Sequence, residues 1–156
     1  MLKLRLRGIR SFSVESEQSI DFDQNLTLIV GHNGAGKTTI IEALRVATTG
    51  SYPPNCENGK AFIFDPKFSN KPETKASIKL DFLSKEQKHV TLGRLYTLTR
   101  KQGNVLEIKK TNNMVQVPDP NGKVVKKDFT INKMDEFIPE LLGVKPAILN
   151  NVTFCH

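Results

Sequence analysis

The sequence predicts an α/β fold, with a strand–loop–helix core near the N-terminus and an antiparallel β-subdomain behind it. Three observations carry this expectation. Residues 31–38 read Gly31-His32-Asn33-Gly34-Ala35-Gly36-Lys37-Thr38, a complete G-x-x-x-x-G-K-[ST] pattern. The apolar run Leu26-Thr27-Leu28-Ile29-Val30 precedes it as a short buried strand would. Ile40, Ile41, Ala43, Leu44 and Ala47 follow it at helical spacing. The second half of the chain alternates apolar and polar residues in runs separated by Gly, Pro and Asn turns.

Each element has a local reason. Leu2, Leu4 and Leu6 point to one face of a first strand and Lys3, Arg5 and Arg7 to the other. Ser19 to Phe22 reads as a second strand, and Asp23-Gln24-Asn25 turns the chain into the run before the glycines. The helix from Lys37 ends near Thr49, with Gly50 as its C-cap. A loop with Pro53-Pro54 and Gly59 leads to apolar Ala61 to Phe64, which stops at Asp65-Pro66. Lys75–Leu83, Val90–Thr99, Val105–Lys109, Val115–Val117 and Val124–Ile131 follow as hairpin strands, more naturally antiparallel than parallel. Asn132 caps a helix carrying Met134, Phe137, Ile138, Leu141 and Leu142, with Asp135 and Glu136 as charge in its first turn. Pro139 weakens that helix or moves its start, and Gly143 ends it. A short helix from Pro146 to Asn151 leads into Val152 to His156.

The glycine loop has a mechanism. Without Cβ atoms, backbone N–H groups can turn toward a polyphosphate, and the helix N-terminus behind them adds a favourable dipole. Lys37 is placed to reach the β- and γ-phosphates, and the Thr38 hydroxyl to ligate Mg²⁺.

Composition sets bounds. The chain has 156 residues, 38% hydrophobic and 25% charged, which suits one domain with a real core. No apolar run approaches a membrane span, and the alternating N-terminus lacks the apolar centre of a signal peptide. Cys56 and Cys155 stand far apart, so free thiols in a reducing compartment are expected rather than a disulfide framework or a zinc site. A net charge of +7 allows a nucleic-acid partner without establishing one.

A nucleotide hydrolase also needs a group to position the attacking water, usually an acid after an apolar strand. The pair Asp135-Glu136 follows Asn132-Lys133-Met134, which is no buried strand, and no glycine-rich signature loop appears. The sequence therefore carries half of a catalytic site. Asn132-Lys133-Met134-Asp135 fits N-K-x-D, the guanine-reading motif of GTPases, and Asp119-Pro120-Asn121-Gly122 fits D-x-x-G. The two lie too close together for the helix and strand that a GTPase places between them. A self-contained P-loop GTPase or nucleotide kinase, and a DNA-binding module with a vestigial loop, are the alternatives.

Gly8-Ile9-Arg10-Ser11-Phe12, Leu26 to Gly31 and Lys37-Thr38-Thr39-Ile40-Ile41-Glu42-Ala43-Leu44 resemble the SMC-like branch of ABC-type ATPases. Thr48-Thr49-Gly50 with Pro53-Pro54, Phe62 to Pro66, and Leu142 to His156 are similar to one member of that branch, the ATPase subunit of the eukaryotic double-strand-break repair nuclease complex. The resemblance implies that residues 1–156 form the N-terminal lobe of an ATPase head. A coiled coil with a zinc-binding apex and a C-terminal lobe, which supplies the signature loop, the Walker B acid and the switch histidine, lie outside this sequence. It implies ATP and Mg²⁺ as cofactors, with Asn33, Gly34, Ala35, Gly36, Lys37, Thr38 and Thr39 at the phosphates and metal. It places Arg10 and Ser11 near the base and phosphates. Its partners would be the C-terminal lobe, a second head, a nuclease subunit and double-stranded DNA read without sequence preference, in the nucleus and away from membranes. Relatives usually carry His where Phe64 stands, so no role passes to that position. His32, at a variable loop position, is read as facing water.

Basic residues offer two candidate phosphate-tracking stripes, Lys3-Arg5-Arg7 on one strand face and Arg100 to Lys127. No aromatics are interleaved for stacking bases. Lysines on hairpin edges also serve to prevent sheet-to-sheet association.

Overall fold

The computed structural model describes residues 2–23, 25–119, 121, 123–145 and 148. Its frame is one six-stranded sheet: β1 (Leu2–Arg7), β2 (Gln18–Phe22), β3 (Glu73–Leu83), β4 (His89–Arg100), β5 (Leu106–Pro118) and β6 (Val124–Phe129), in the order β2-β1-β3-β4-β5-β6. Every neighbouring pair is antiparallel. Among the described residues the long helices are α1 (Lys37–Thr49) and α2 (Ile131–Leu142).

Alternation in the sequence sets the register. Ile20 pairs with Leu4, Leu4 with Leu80, Leu80 with Leu92 and Leu92 with Val115, so one apolar row crosses five strands. A one-residue slip would turn that row to the opposite face. Ala43, Val46 and Ala47 of α1 and Met134 and Ile138 of α2 join these side chains in the core. Each fully buried Leu or Ile contributes roughly 1.5–3 kcal/mol relative to exposure. The helix α1 touches β3, β4 and α2. The strands expected from Lys75 to Leu83 and from Val90 to Thr99 and the helix bounded by Gly50 match expectation, and the Gly50 N–H donates to the Val46 carbonyl at 3.0 Å.

Four expectations change. The run from Leu26 to Val30 is not assigned to a strand and is not buried. Leu26, Leu28 and Val30 are each about four-fifths exposed, while Ile29 packs against the core. An apolar run signals burial but not which part of a protein supplies the cover. The two short strands expected at 105–109 and 115–117 are one continuous strand, because the long β4 pairs along both of them. The register shifts between Gly93 and Leu95, where a Cβ on Gly93 would come within 2.7 Å of the Met114 side chain. Thr130, not Asn132, is the N-cap residue of α2, which runs through Pro139 to Gly143. Its inward face, held by fully buried Met134 and Ile138, outweighs the lost N–H. Asp135 does not serve as charge in the first turn but pairs with Arg94. The helix expected from Pro146 to Asn151, and Val152 to His156 with Cys155, lie outside the described residues. No described helix is long and apolar enough to cross a membrane.

Candidate functional site: a phosphate-loop cradle

The cradle forms where α1 begins. Gly34 and Gly36 take φ of +84° and +91°, a left-handed geometry that costs glycine little. Around Gly34 there is nothing within 4 Å of where a Cβ would stand. The Ala35 N–H donates to the His32 carbonyl at 3.1 Å, and the Ile40 N–H donates to the Gly36 carbonyl as the helix starts. No side chain caps this helix start. Its first amides and the positive end of its dipole therefore face the loop, an arrangement suited to an anion.

Lys37 is folded back over the loop. Its Nζ donates to the carbonyls of Gly31 at 2.6 Å and His32 at 2.8 Å. Arg10, Ser11, Asn33, Gly34, Gly36, Lys37, Thr38 and Thr39 line one cavity of about 490 Å³. Of the nine residues expected at the nucleotide (Arg10, Ser11 and Asn33 to Thr39), Ala35 alone is not in that lining. His32 is exposed, and Thr39 is buried beneath the loop. Among the described residues no three His, Cys, Asp or Glu side chains gather as a metal cage. A hard divalent cation held by Thr38 would take its other oxygens from phosphates and water, as Mg²⁺ commonly does.

Arg10 reaches the cradle from the other side. The segment 8–13 is a tight turn in which Gly8 N–H donates to the Ser13 carbonyl and Phe12 N–H to the Ile9 carbonyl. Arg10 itself has φ +45°, held by its N–H bond to the Phe62 carbonyl at 3.0 Å. Its guanidinium forms an ion pair with Glu42 of α1 at 2.9 Å. It also donates to the Cys56 sulfur at 3.9 Å and lies 5.5 Å from the centroid of the Phe62 ring. Nothing in the sequence signals that Glu42, Cys56 and Phe62 meet Arg10 beside the loop. Glu42 stands one turn after Thr38 on α1, so helical spacing places it beside the loop.

The AAA domain family matches residues 3–156, nearly the whole chain. The chain belongs to that family. This AAA domain is also 46% identical over 154 residues to a DNA repair protein RAD50 of Dictyostelium discoideum, covering 99% of the chain and 11% of that protein. It is 46% identical over 155 residues to a DNA repair protein RAD50 of Arabidopsis thaliana, covering 99% and 12%. The chain thus spans about an eighth of the length of these curated relatives. A solved chain from work on ATP-driven dimerization and DNA-stimulated activation of SMC ATPases superposes with a TM-score of 0.54 at 20% identity. It covers 96% of this chain and 83% of the other, and so shows the shared fold.

Other candidates from the sequence fare differently. In the Lys3-Arg5-Arg7 stripe, Lys3 pairs with Asp21 at 3.0 Å and Arg5 with Asp81 at 2.7 Å. Much of its charge is therefore neutralised by neighbouring strands. Arg100 pairs with Asp65, Lys101 with Glu107, and Lys126 with Asp128. Phe64 packs edge-on against Phe68, with ring centroids 6.2 Å apart. The guanine-reading alternative loses its elements: Asn132 and Asp135 lie within α2, and the Asp119 carboxylate accepts the N–H groups of Asn121 and Lys123 in its own turn. Cys56 is a buried free thiol.

Proposed function

We infer that this AAA domain is the N-terminal lobe of an SMC-like, ABC-type ATPase head that binds Mg-ATP in DNA double-strand-break repair. One observation carries the reading. The glycine loop, the start of α1, Lys37, Thr38, Arg10 and Ser11 converge on a single cavity large enough for a polyphosphate. The names of the relatives, DNA repair proteins, support the biological setting.

The residues divide the work. Asn33, Gly34, Gly36 and Thr39 bring the loop amides and polar side chains to the phosphates, and Ala35, whose N–H donates to the His32 carbonyl, holds the turn of the loop. Lys37 exchanges its two carbonyl acceptors for β- and γ-phosphate oxygens, and Arg10 and Ser11 contact the nucleotide from the facing turn. Thr38 holds Mg²⁺, which supplies charge neutralisation on the triphosphate. All of this is positioning and electrostatics, the main contributions to phosphoryl transfer. Hydrolysis needs the acid and signature loop of a C-terminal lobe.

That lobe also has a place to dock. Exposure alternates along residues 26–30 as in a strand, with Leu26, Leu28 and Val30 bare on one side. A bare apolar face beside the phosphate loop suits a strand or helix of the C-terminal lobe as its cover. A second head would close over the nucleotide, a nuclease subunit would respond to that closure, and double-stranded DNA would be bound without sequence preference in the nucleus. The zinc belongs to a coiled-coil apex outside these residues.

The test is a Mg-ATP titration of the full-length protein and its Lys37→Ala variant. Loss of binding in the variant is expected, and unchanged affinity rules the role out. A salt titration of DNA binding with and without ATP separates a DNA module with a vestigial loop, for which nucleotide has no effect.

A further inference from the structure

Arg94 occupies a position where the strand pattern calls for an apolar residue. Val90, Leu92, Tyr96 and Leu98 are the inward-facing residues of β4, and Arg94 lies among them, opposite Ile78 of β3 and 2% exposed. Its Nη2 donates to the Asp135 carboxylate of α2 at 2.6 Å, and its Nε donates to the Ala47 carbonyl in the last turn of α1 at 2.9 Å. The C-cap of α1 abuts the same carboxylate: a Cβ on Gly50 would come within 2.7 Å of Asp135 Oδ1. One guanidinium thus ties the sheet, the end of α1 and the start of α2 together.

An ion pair with one buried partner is a weak way to gain stability, because taking the guanidinium out of water offsets much of the attraction. It is a strong way to fix orientation, since a planar fork bonds along set directions. The helix it holds carries Lys37 and Thr38 at its other end. Its 13 residues form a rod roughly 20 Å long, stiff enough to pass a small tilt from one end to the other.

We propose that Arg94 is a positioning residue that couples occupancy of the phosphate loop to α2 through the α1 rod. This rests on the nucleotide reading above. Nucleotide seated on the α1 N-terminus restrains the rod, Arg94 passes the restraint to Asp135, and α2 is held more tightly. By linkage, a partner that engages α2 changes nucleotide affinity by the same factor.

Hydrogen–deuterium exchange of the full-length protein with and without Mg-ATP tests this. In the wild type, Mg-ATP slows exchange at residues 36–40 and also, by about fivefold or more, at 131–142. In Arg94→Met the slowing at 131–142 disappears while that at 36–40 persists. Asp135→Asn, at a partly exposed position, reads the same coupling if Arg94→Met does not fold. A residue that only adds stability would raise exchange in α2 equally with and without nucleotide, leaving the difference intact, and that result overturns the proposal. Slowing at 36–40 with none at 131–142 in the wild type overturns it alone. No slowing at either segment overturns the nucleotide reading together with it.

Discussion

The Arg10 guanidinium lies 2.9 Å from the Glu42 carboxylate, and this pairing ties the turn after β1 to the helix that starts at the phosphate loop. Glu42 is mostly buried and Arg10 about one-third exposed, so the pair is screened less than a surface ion pair. A double-mutant cycle with Arg10→Ala and Glu42→Ala is expected to show a coupling of about 1 kcal/mol in urea unfolding. Additive single effects would mean that the contact contributes nothing.

Arg10 also faces the cavity at the loop. Replacing it with Ala is expected to weaken Mg-ATP binding by roughly tenfold, the size of one charge-assisted hydrogen bond. A fluorescent-nucleotide titration measures this, and an affinity equal to wild type would limit Arg10 to its bonds with Glu42, Cys56 and Phe62.

Leu28 is 79% exposed in this chain, so by itself its replacement should matter little. If the C-terminal lobe covers it, Leu28→Asp in the full-length protein lowers stability by more than about 2 kcal/mol, because a charge then enters an apolar contact. Thermal unfolding distinguishes the two, and a change within roughly 0.5 kcal/mol shows that the face stays in water.

Alkaline pH probes the core beside Arg94. Tyr52 and Tyr96 lie with ring centroids 6.0 Å apart. Burial pushes the Tyr96 hydroxyl up to about 12 and raises that of Tyr52 further. Both phenols are favoured in their neutral form in the folded chain. Their contribution is complete below pH 10, the ordinary value, and falls away as pH rises toward 12. Stability should therefore drop across that window by on the order of 2–3 kcal/mol for Tyr96. Tyr96→Phe should flatten the drop. An unchanged slope in chemical denaturation between these pH values would contradict this assignment.

Gly50 closes α1 at φ +72° with the Asp135 carboxylate against it. Gly50→Ala is expected to cost more than about 1 kcal/mol, combining left-handed strain with displacement of Asp135 from Arg94. The urea midpoint reports it, and a midpoint equal to wild type would show that the carboxylate moves aside freely.

Local information was enough for much of this molecule. The 3.6-residue spacing from Ile40 to Ala47 and the glycine at 50 define α1, because a helix needs only its own backbone bonds and a residue tolerant of left-handed geometry to end it. Period-two alternation in Leu2–Leu6 and Ala76–Phe82 defines the core face of β1 and β3, because successive strand side chains point to opposite sides. The spacing of Gly31, Gly36, Lys37 and Thr38 names the phosphate loop without reference to any distant residue. Arg94 was not singled out from the sequence: it falls within the strand expected at Val90–Thr99, and nothing local says what meets it.

Tertiary structure decided the rest. Whether 105–118 is one strand or two depends on β4 running beside it. Whether Asp135 is a helix-start charge or the partner of a buried guanidinium depends on where α2 packs. The exposure of Leu26, Leu28 and Val30 shows the same limit from the other side, since an apolar run records the demand for cover but not its source. The physical reason is common to all three: hydrogen-bonded periodicity and turn chemistry are written in neighbouring residues, whereas the pairing of buried charges and the covering of apolar faces depend on residues that only folding brings near.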